Sequence, residues 1–178
     1  MSSPFKLNAE RIQPLQAEYK SLLDWPFPAS PFYGPQTLDI LRNDIPTRIT
    51  YGTCFVWLFR NEDNEAVGFG TLDICCEYPD FTHGKSHLYI PVLGVHPHNS
   101  GRGYGRQIVE YLVRIATLIY QSKANLFDLL FLDVYQANEA AIGLYSNKCQ
   151  FIALNPNNPI PDPNQNNEPY IVMARKLV

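Results

Sequence analysis

The chain has 178 residues, of which 46% are hydrophobic and 17% charged, a composition that builds a folded core in one domain and excludes a wholly disordered chain. Acidic residues outnumber basic ones by 17 to 14, giving a formal charge of −3, so no basic excess supports nucleic-acid binding. No apolar run reaches ~18 residues, which argues against a membrane span, and the start Met1-Ser2-Ser3-Pro4-Phe5-Lys6 has no secretory pattern.

From Asn8 to Leu23, Ile12, Leu15, Tyr19, Leu22 and Leu23 recur at helical spacing, with a start near Pro14, where proline is tolerated. The stretch Trp25 to Pro35 is too rich in proline for a central strand or helix interior, and a short helix follows around Thr37 to Arg42. Thr53–Arg60 and Ala66–Cys76 read as an antiparallel hairpin across the polar turn Asn61–Glu65. Glu77–Ser86 is a loop. His87–Val95 is a third long strand, and Pro91 inside it predicts a bulge or splayed edge, because proline cannot donate to a ladder. A glycine-rich turn leads into a helix from about Tyr104 to Gln121, with Ile108, Leu112, Ile115 and Ile119 on one face. Asp128–Tyr135 is a strand. A helix capped by Asn138 runs to about Lys148, Phe151–Leu154 is a short strand, Asn155–Glu168 a loop, and Tyr170–Leu177 the last strand. The order predicts an α/β fold: a mixed, mostly antiparallel sheet of about six or seven strands flanked by helices. A right-handed crossover joins the strand ending at Val95 to the one ending at Tyr135.

The four cysteines are too few for a disulfide scaffold and read as reduced core thiols of a cytoplasmic protein. Cys75 and Cys76 are adjacent in a strand and point to opposite faces, which does not suit a shared metal. His83, His87, His96 and His98 have no paired carboxylates or thiols nearby in the sequence, so no catalytic metal is expected.

The strongest local signal is strand, then Ser100-Gly101-Arg102-Gly103-Tyr104-Gly105, then helix. Glycines let the backbone curl and approach an anion. The first N–H groups of the helix have no internal partner, and its dipole adds positive potential. The turn is therefore an anion cradle suited to a pyrophosphate, to which Arg102 and Arg106 add charge-assisted bonds. Glycine at every second position does not fit the dinucleotide fingerprint, and the Lys-Ser/Thr ending of a P-loop is absent. A ligand-free glycine turn is the plain alternative.

Val92-Leu93-Gly94-Val95-His96-Pro97 leading into Gly101-Arg102-Gly103-Tyr104-Gly105 resembles the acetyl-CoA-binding motif of the GCN5-related N-acetyltransferases, whose pattern is Gln/Arg-x-x-Gly-x-Gly/Ala. Asn138 to Phe151 resembles the family's second motif, and Tyr170 to Leu177 its last strand. The resemblance covers roughly Thr53 to Val178; the first fifty residues match only loosely and form a variable, acceptor-side segment. Ser100 replaces the usual Gln or Arg, which removes a side-chain contact but not the amides. Cys149 replaces a frequent Gly before Phe151.

The resemblance implies splayed central strands, with the pantetheine of acetyl-CoA paired to the backbone of Leu93 and Val95 around Gly94. It implies the pyrophosphate on the amides of Gly101 to Gly105. Asn138 matches the residue that contacts the pantetheine arm; from the residues alone it is a helix cap, and the two roles are compatible. An amine, from a small molecule or a protein, attacks the thioester directly in a ternary complex. Tyr145 stands where the family commonly places its general acid, a phenol of pKa ~10 donating to a thiolate of ~8.5. The base is open. The third strand carries no carboxylate, but His87 and Tyr89 face the same side and His87 titrates near neutrality. Asp73, Glu77 and a water chain are alternatives. Acidic groups at Glu77, Asp80, Asp162 and Glu168 suit a cationic acceptor. A homodimer is compatible with this reading. The competing readings are a non-catalytic acyl-CoA-binding module and a nucleotide-binding protein.

Overall fold

The computed structural model describes residues 6–27, 35–75, 78–123, 125–163 and 166–178. The chain divides into two units, residues 1–73 with 92–112 and residues 74–91 with 113–178.

In the first unit, β1 (Asn8–Ile12) pairs antiparallel with β2 (Cys54–Arg60). β2 in turn pairs antiparallel with β3 (Ala66–Cys75), whose last two residues belong to the second unit. The hairpin turn is held by Asn61, whose side chain accepts the Glu65 N–H and donates to the Glu65 carboxylate, each at 2.8 Å. The helix expected to start near Pro14 is α1 (Ala17–Leu22), whereas Asn8–Ile12, which shares its helical spacing in the sequence, is a strand. Residues 8–12 take a sheet edge offered by residues far along the chain, an override that local spacing does not carry. The short helix expected near Thr37 is longer: α2 (Pro35–Asp39) continues through a π-helical turn (Ile40–Asp44) into α3 (Ile45–Thr50). Ile12, Tyr19, Leu22, Leu41, Ile45, Val56, Leu58 and Phe69 form this unit's core.

The glycines of β3 make room for α5 (Tyr104–Ser122), whose first half lies in this unit. A Cβ at Gly68 would stand 2.4 Å from Ile108 Cδ1, and one at Gly70 would stand 2.9 Å from Leu112 Cδ1. The expected strand His87–Val95 is divided around Pro91 into β4 (His87–Ile90) and β5 (Leu93–Val95). β5 pairs antiparallel with β3, and Phe69 lies opposite Gly94, its ring filling the space that a side chain there would need.

In the second unit, β4 pairs parallel with β6 (Leu129–Tyr135), from Leu88↔Leu130 to Ile90↔Leu132. This is the parallel pair that a crossover connection produces. β6 pairs antiparallel with β9 (Glu168–Lys176). Two short strands, β7 (Ile152–Ala153) and β8 (Ile160–Asp162), also pair with β9. β8 and the one-turn α4 (Pro79–Thr82) lie in segments expected to be loops. α6 (Glu139–Gly143) continues as a π-helical turn (Leu144–Lys148). Tyr78, Tyr89, Phe131, Val172 and Ala174 form the core here.

The architecture is a mixed, mostly antiparallel sheet with helices. Its nine described strands exceed the expected six or seven because β1 and β8 are added and one strand is divided. Among the described residues, no helix is long and apolar enough to cross a membrane.

Candidate functional site

After β5 the chain makes one 3-10 turn (Pro97–Asn99) and then the glycine turn. Gly101 has φ +75° and Gly103 φ +81°, values that L side chains rarely adopt. A Cβ at either would meet nothing within 4 Å, so glycine is needed here for conformation and not for space. The helical ladder opens with Gln107 N–H donating to Gly103 O at 3.4 Å. The N–H groups of Tyr104, Gly105 and Arg106 precede that ladder, at the positive end of a 19-residue helix. Ser100, Gly101, Arg102, Gly103 and Arg106 are exposed, and Tyr104 and Gly105 half-buried. Beside the turn, burial and the neighbouring His98 hold the His96 ring below the usual histidine range.

The parity of β5 is fixed by its bonds to β3. Thr71 N–H donates to Val92 O at 3.1 Å, and His96 N–H donates to Val67 O at 2.9 Å. Val92, Gly94 and His96 therefore direct their backbone groups at β3, and Leu93 and Val95 direct theirs to the opposite edge. Among the described strands β5 pairs with β3 alone. Pro91 offers no N–H, and the next one, of Val92, is taken by the Thr71 hydroxyl. Of the aromatic and proline-rich stretch, residues 28–34 lie outside the described residues. Trp25 and Phe27 pack against Phe69 at 6.0 and 6.1 Å between ring centroids.

In the second unit, Asn138 caps α6, its side-chain oxygen accepting the Ala141 N–H at 3.1 Å. Tyr145 lies in the π-helical turn that follows; it is buried, with its ring 6.0 Å from that of Phe151. His87 is fully buried, its Nε2 3.2 Å from Cys75 Sγ and its ring 4.7 Å from that of Phe131. His87 and Tyr89 both pack against Tyr78, at 5.5 and 5.9 Å, so they share a face as strand alternation predicts.

The Tyr89 hydroxyl donates to Asp133 Oδ2 at 3.0 Å, and the Tyr78 hydroxyl donates to the same oxygen. Sequence reasoning passed over Asp133 and Tyr78. The available signal was a single acid in the apolar run Leu129-Leu130-Phe131-Leu132-Asp133-Val134-Tyr135. Asp73, one alternative base, is engaged otherwise: it is 2% exposed and paired with Arg48 at 2.5 Å. Glu77 lies outside the described residues. Asp162 accepts the Tyr135 hydroxyl at 2.7 Å.

The family model described as the acetyltransferase (GNAT) family matches residues 19–151. The fold is similar to that of the spermidine N-acetyltransferase from Vibrio cholerae solved in complex with CoA and spermine, with TM-score 0.70 and 13% identity over 97% of this chain and 96% of that one. It is also similar to a Klebsiella pneumoniae protein whose name proposes an acyl-CoA N-acyltransferase, with TM-score 0.62 and 19% identity over 97% and 98% of the two chains. No functionally curated protein matches the sequence significantly.

Proposed function

The chain belongs to the acetyltransferase (GNAT) family and is an acetyl-CoA-dependent N-acetyltransferase, and from that premise we propose how its residues divide the work. The amides from Gly101 to Gly105 hold the pyrophosphate of the cofactor, and Arg102 and Arg106 add charge. The observation that carries this assignment is the pair of left-handed glycines leading into the unladdered amides of α5. Ser100 supplies only its backbone.

The outward backbone of Leu93 and Val95, around Gly94, pairs with pantetheine as a strand would. Asn138 reaches the pantetheine arm with its amide nitrogen while its oxygen caps α6. The amine attacks the thioester carbon in a ternary complex, the C–S bond breaks, and the leaving thiolate takes a proton from Tyr145. Tyr89 lines the acceptor side, and His87, fully buried against Cys75 and Phe131, lies behind it. The acceptor is an amine of a small molecule or a protein; the spermine held by the Vibrio cholerae neighbour favours a small polyamine. Cys54, Cys75 and Cys149 form no disulfide among the described residues, and a reducing cytoplasm suits such thiols.

The test is thiol release from acetyl-CoA across an amine panel, with calorimetric titration of CoA and of pantetheine. Amine-dependent release is expected, together with CoA binding that is lost when the pyrophosphate is absent. Equal binding of pantetheine and CoA would remove the glycine turn from the site.

A further inference from the structure

We propose that Asp133 binds the ammonium group of the acceptor and takes its proton, with Tyr78 and Tyr89 as positioning residues. The inference rests on the acetyltransferase reading above and adds the group that handles the acceptor.

β6 is apolar apart from this one acid, and a carboxylate placed in an apolar strand is destabilising unless it is compensated. Two phenols converge on a single oxygen of Asp133, which fixes the plane and direction of the carboxylate. An ionised carboxylate accepts several hydrogen bonds at once, so two phenol donors are compatible with an ammonium donor as well.

The position is equally specific. The parallel ladder ends at Ile90↔Leu132, and Asp133 is the next residue on β6. On the β4 side the chain passes Pro91 and Val92 and reaches Leu93, whose backbone faces away from β3. Asp133 thus follows directly on the last pair before the regular strand is interrupted.

The surrounding rings fit a cation. Tyr78 stacks on Phe131 at 5.5 Å and meets Tyr89 at 5.9 Å. Aromatic rings beside a carboxylate supply both halves of ammonium recognition, an ion pair and a cation–π contact. The competing bases are engaged: Asp73 with Arg48, and His87 with the Cys75 thiol in a fully buried position.

In the reaction an ammonium N–H bond breaks and its proton moves to an Asp133 oxygen. The neutral amine then forms the C–N bond to the thioester carbon, and the C–S bond breaks. The second amine proton balances the leaving thiolate, directly or through Tyr145, and Asp133 returns its proton to solvent.

The experiment compares the full-length wild type with Asp133→Asn, using the amine of the panel that gives the fastest thiol release. The variant should lose about 100-fold or more in kcat/KM, keep CoA affinity within about twofold and lose the acidic limb of the pH–rate profile. In a folded variant, a kcat/KM within about threefold of wild type, an unchanged acidic limb, or a loss of CoA affinity that matches the loss of activity would each overturn the proposal. Should the variant not fold, Tyr78→Phe and Tyr89→Phe decide: each should move the acidic limb, and two unmoved profiles overturn the assignment. An inactive wild type that still binds CoA defeats the enzymatic reading and this inference together, whereas an active wild type with an unaffected variant defeats the inference alone.

Discussion

The Thr71 hydroxyl donates to Val92 O at 2.6 Å and accepts the Val92 N–H at 3.0 Å, so one side chain closes the break that Pro91 opens. Both residues are buried. Thr71→Val keeps the shape and strands the Val92 N–H. The expected loss is about 1–3 kcal/mol of stability, the desolvation cost of one buried unpaired donor. It should read as a lower denaturation midpoint at unchanged slope. CoA affinity should fall with it, because the outward edge of β5 loses its definition.

Gly103→Ala places a side chain at φ +81°. The left-handed conformation costs about 1–2 kcal/mol for such a residue, so CoA should bind about tenfold more weakly in calorimetry. Gly143→Ala is the control. Gly143 has φ −62° at the end of α6, and a Cβ there meets its nearest neighbour at 3.9 Å. CoA affinity should not change in that variant.

Tyr145→Phe should lower kcat by about 100-fold if the phenol supplies the thiolate's proton. CoA affinity should be nearly unchanged, and single-turnover kinetics should place the defect in the chemical step. An unchanged kcat would reduce Tyr145 to a packing role against Phe151.

Cys54 and Tyr19 set the alkaline behaviour. Burial, then the nearby Asp73 charge, pushes the Cys54 thiol from 9.0 up to about 12, against an opposing pull from Arg48. Burial also pushes the Tyr19 phenol up. The folded chain keeps protons that the unfolded chain releases. The Cys54 contribution is complete below pH 9.0 and is lost as pH rises toward about 12, while that of Tyr19 starts to fall only above 10.0. Stability curves should slope downward above pH 9.0, and Cys54→Ala should flatten that slope by about 1.4 kcal/mol per pH unit.

Arg48→Met removes the guanidinium from a carboxylate that is 2% exposed. Removing one partner of a buried ion pair costs about 3–5 kcal/mol, which chemical denaturation at neutral pH would show. The double variant Arg48→Met/Asp73→Asn should recover part of that loss.

Features whose physics is local were legible in the sequence. The glycine turn and the Asn138 cap each depend on a few consecutive residues, and Pro91 announced the strand break by its missing N–H. What escaped depends on partners far along the chain. Asn8–Ile12 has spacing compatible with a helix, and only the distant β2 makes it a strand. Asp133 shows its function through phenols 55 and 44 residues away. The shared face of His87 and Tyr89 followed from alternation, but the complete burial of His87 depends on Tyr78 and Phe131 closing over it.

Gly94 and Phe69 occupy one allotment of volume. A methyl group on Gly94 would stand 2.6 Å from Phe69 Cε1 and 3.3 Å from Phe27 Cε1, so residue 94 can grow only if residue 69 shrinks. Anyone reshaping this part of the molecule to admit a bulkier guest should begin by trimming the ring at 69 and leave the notch at 94 untouched.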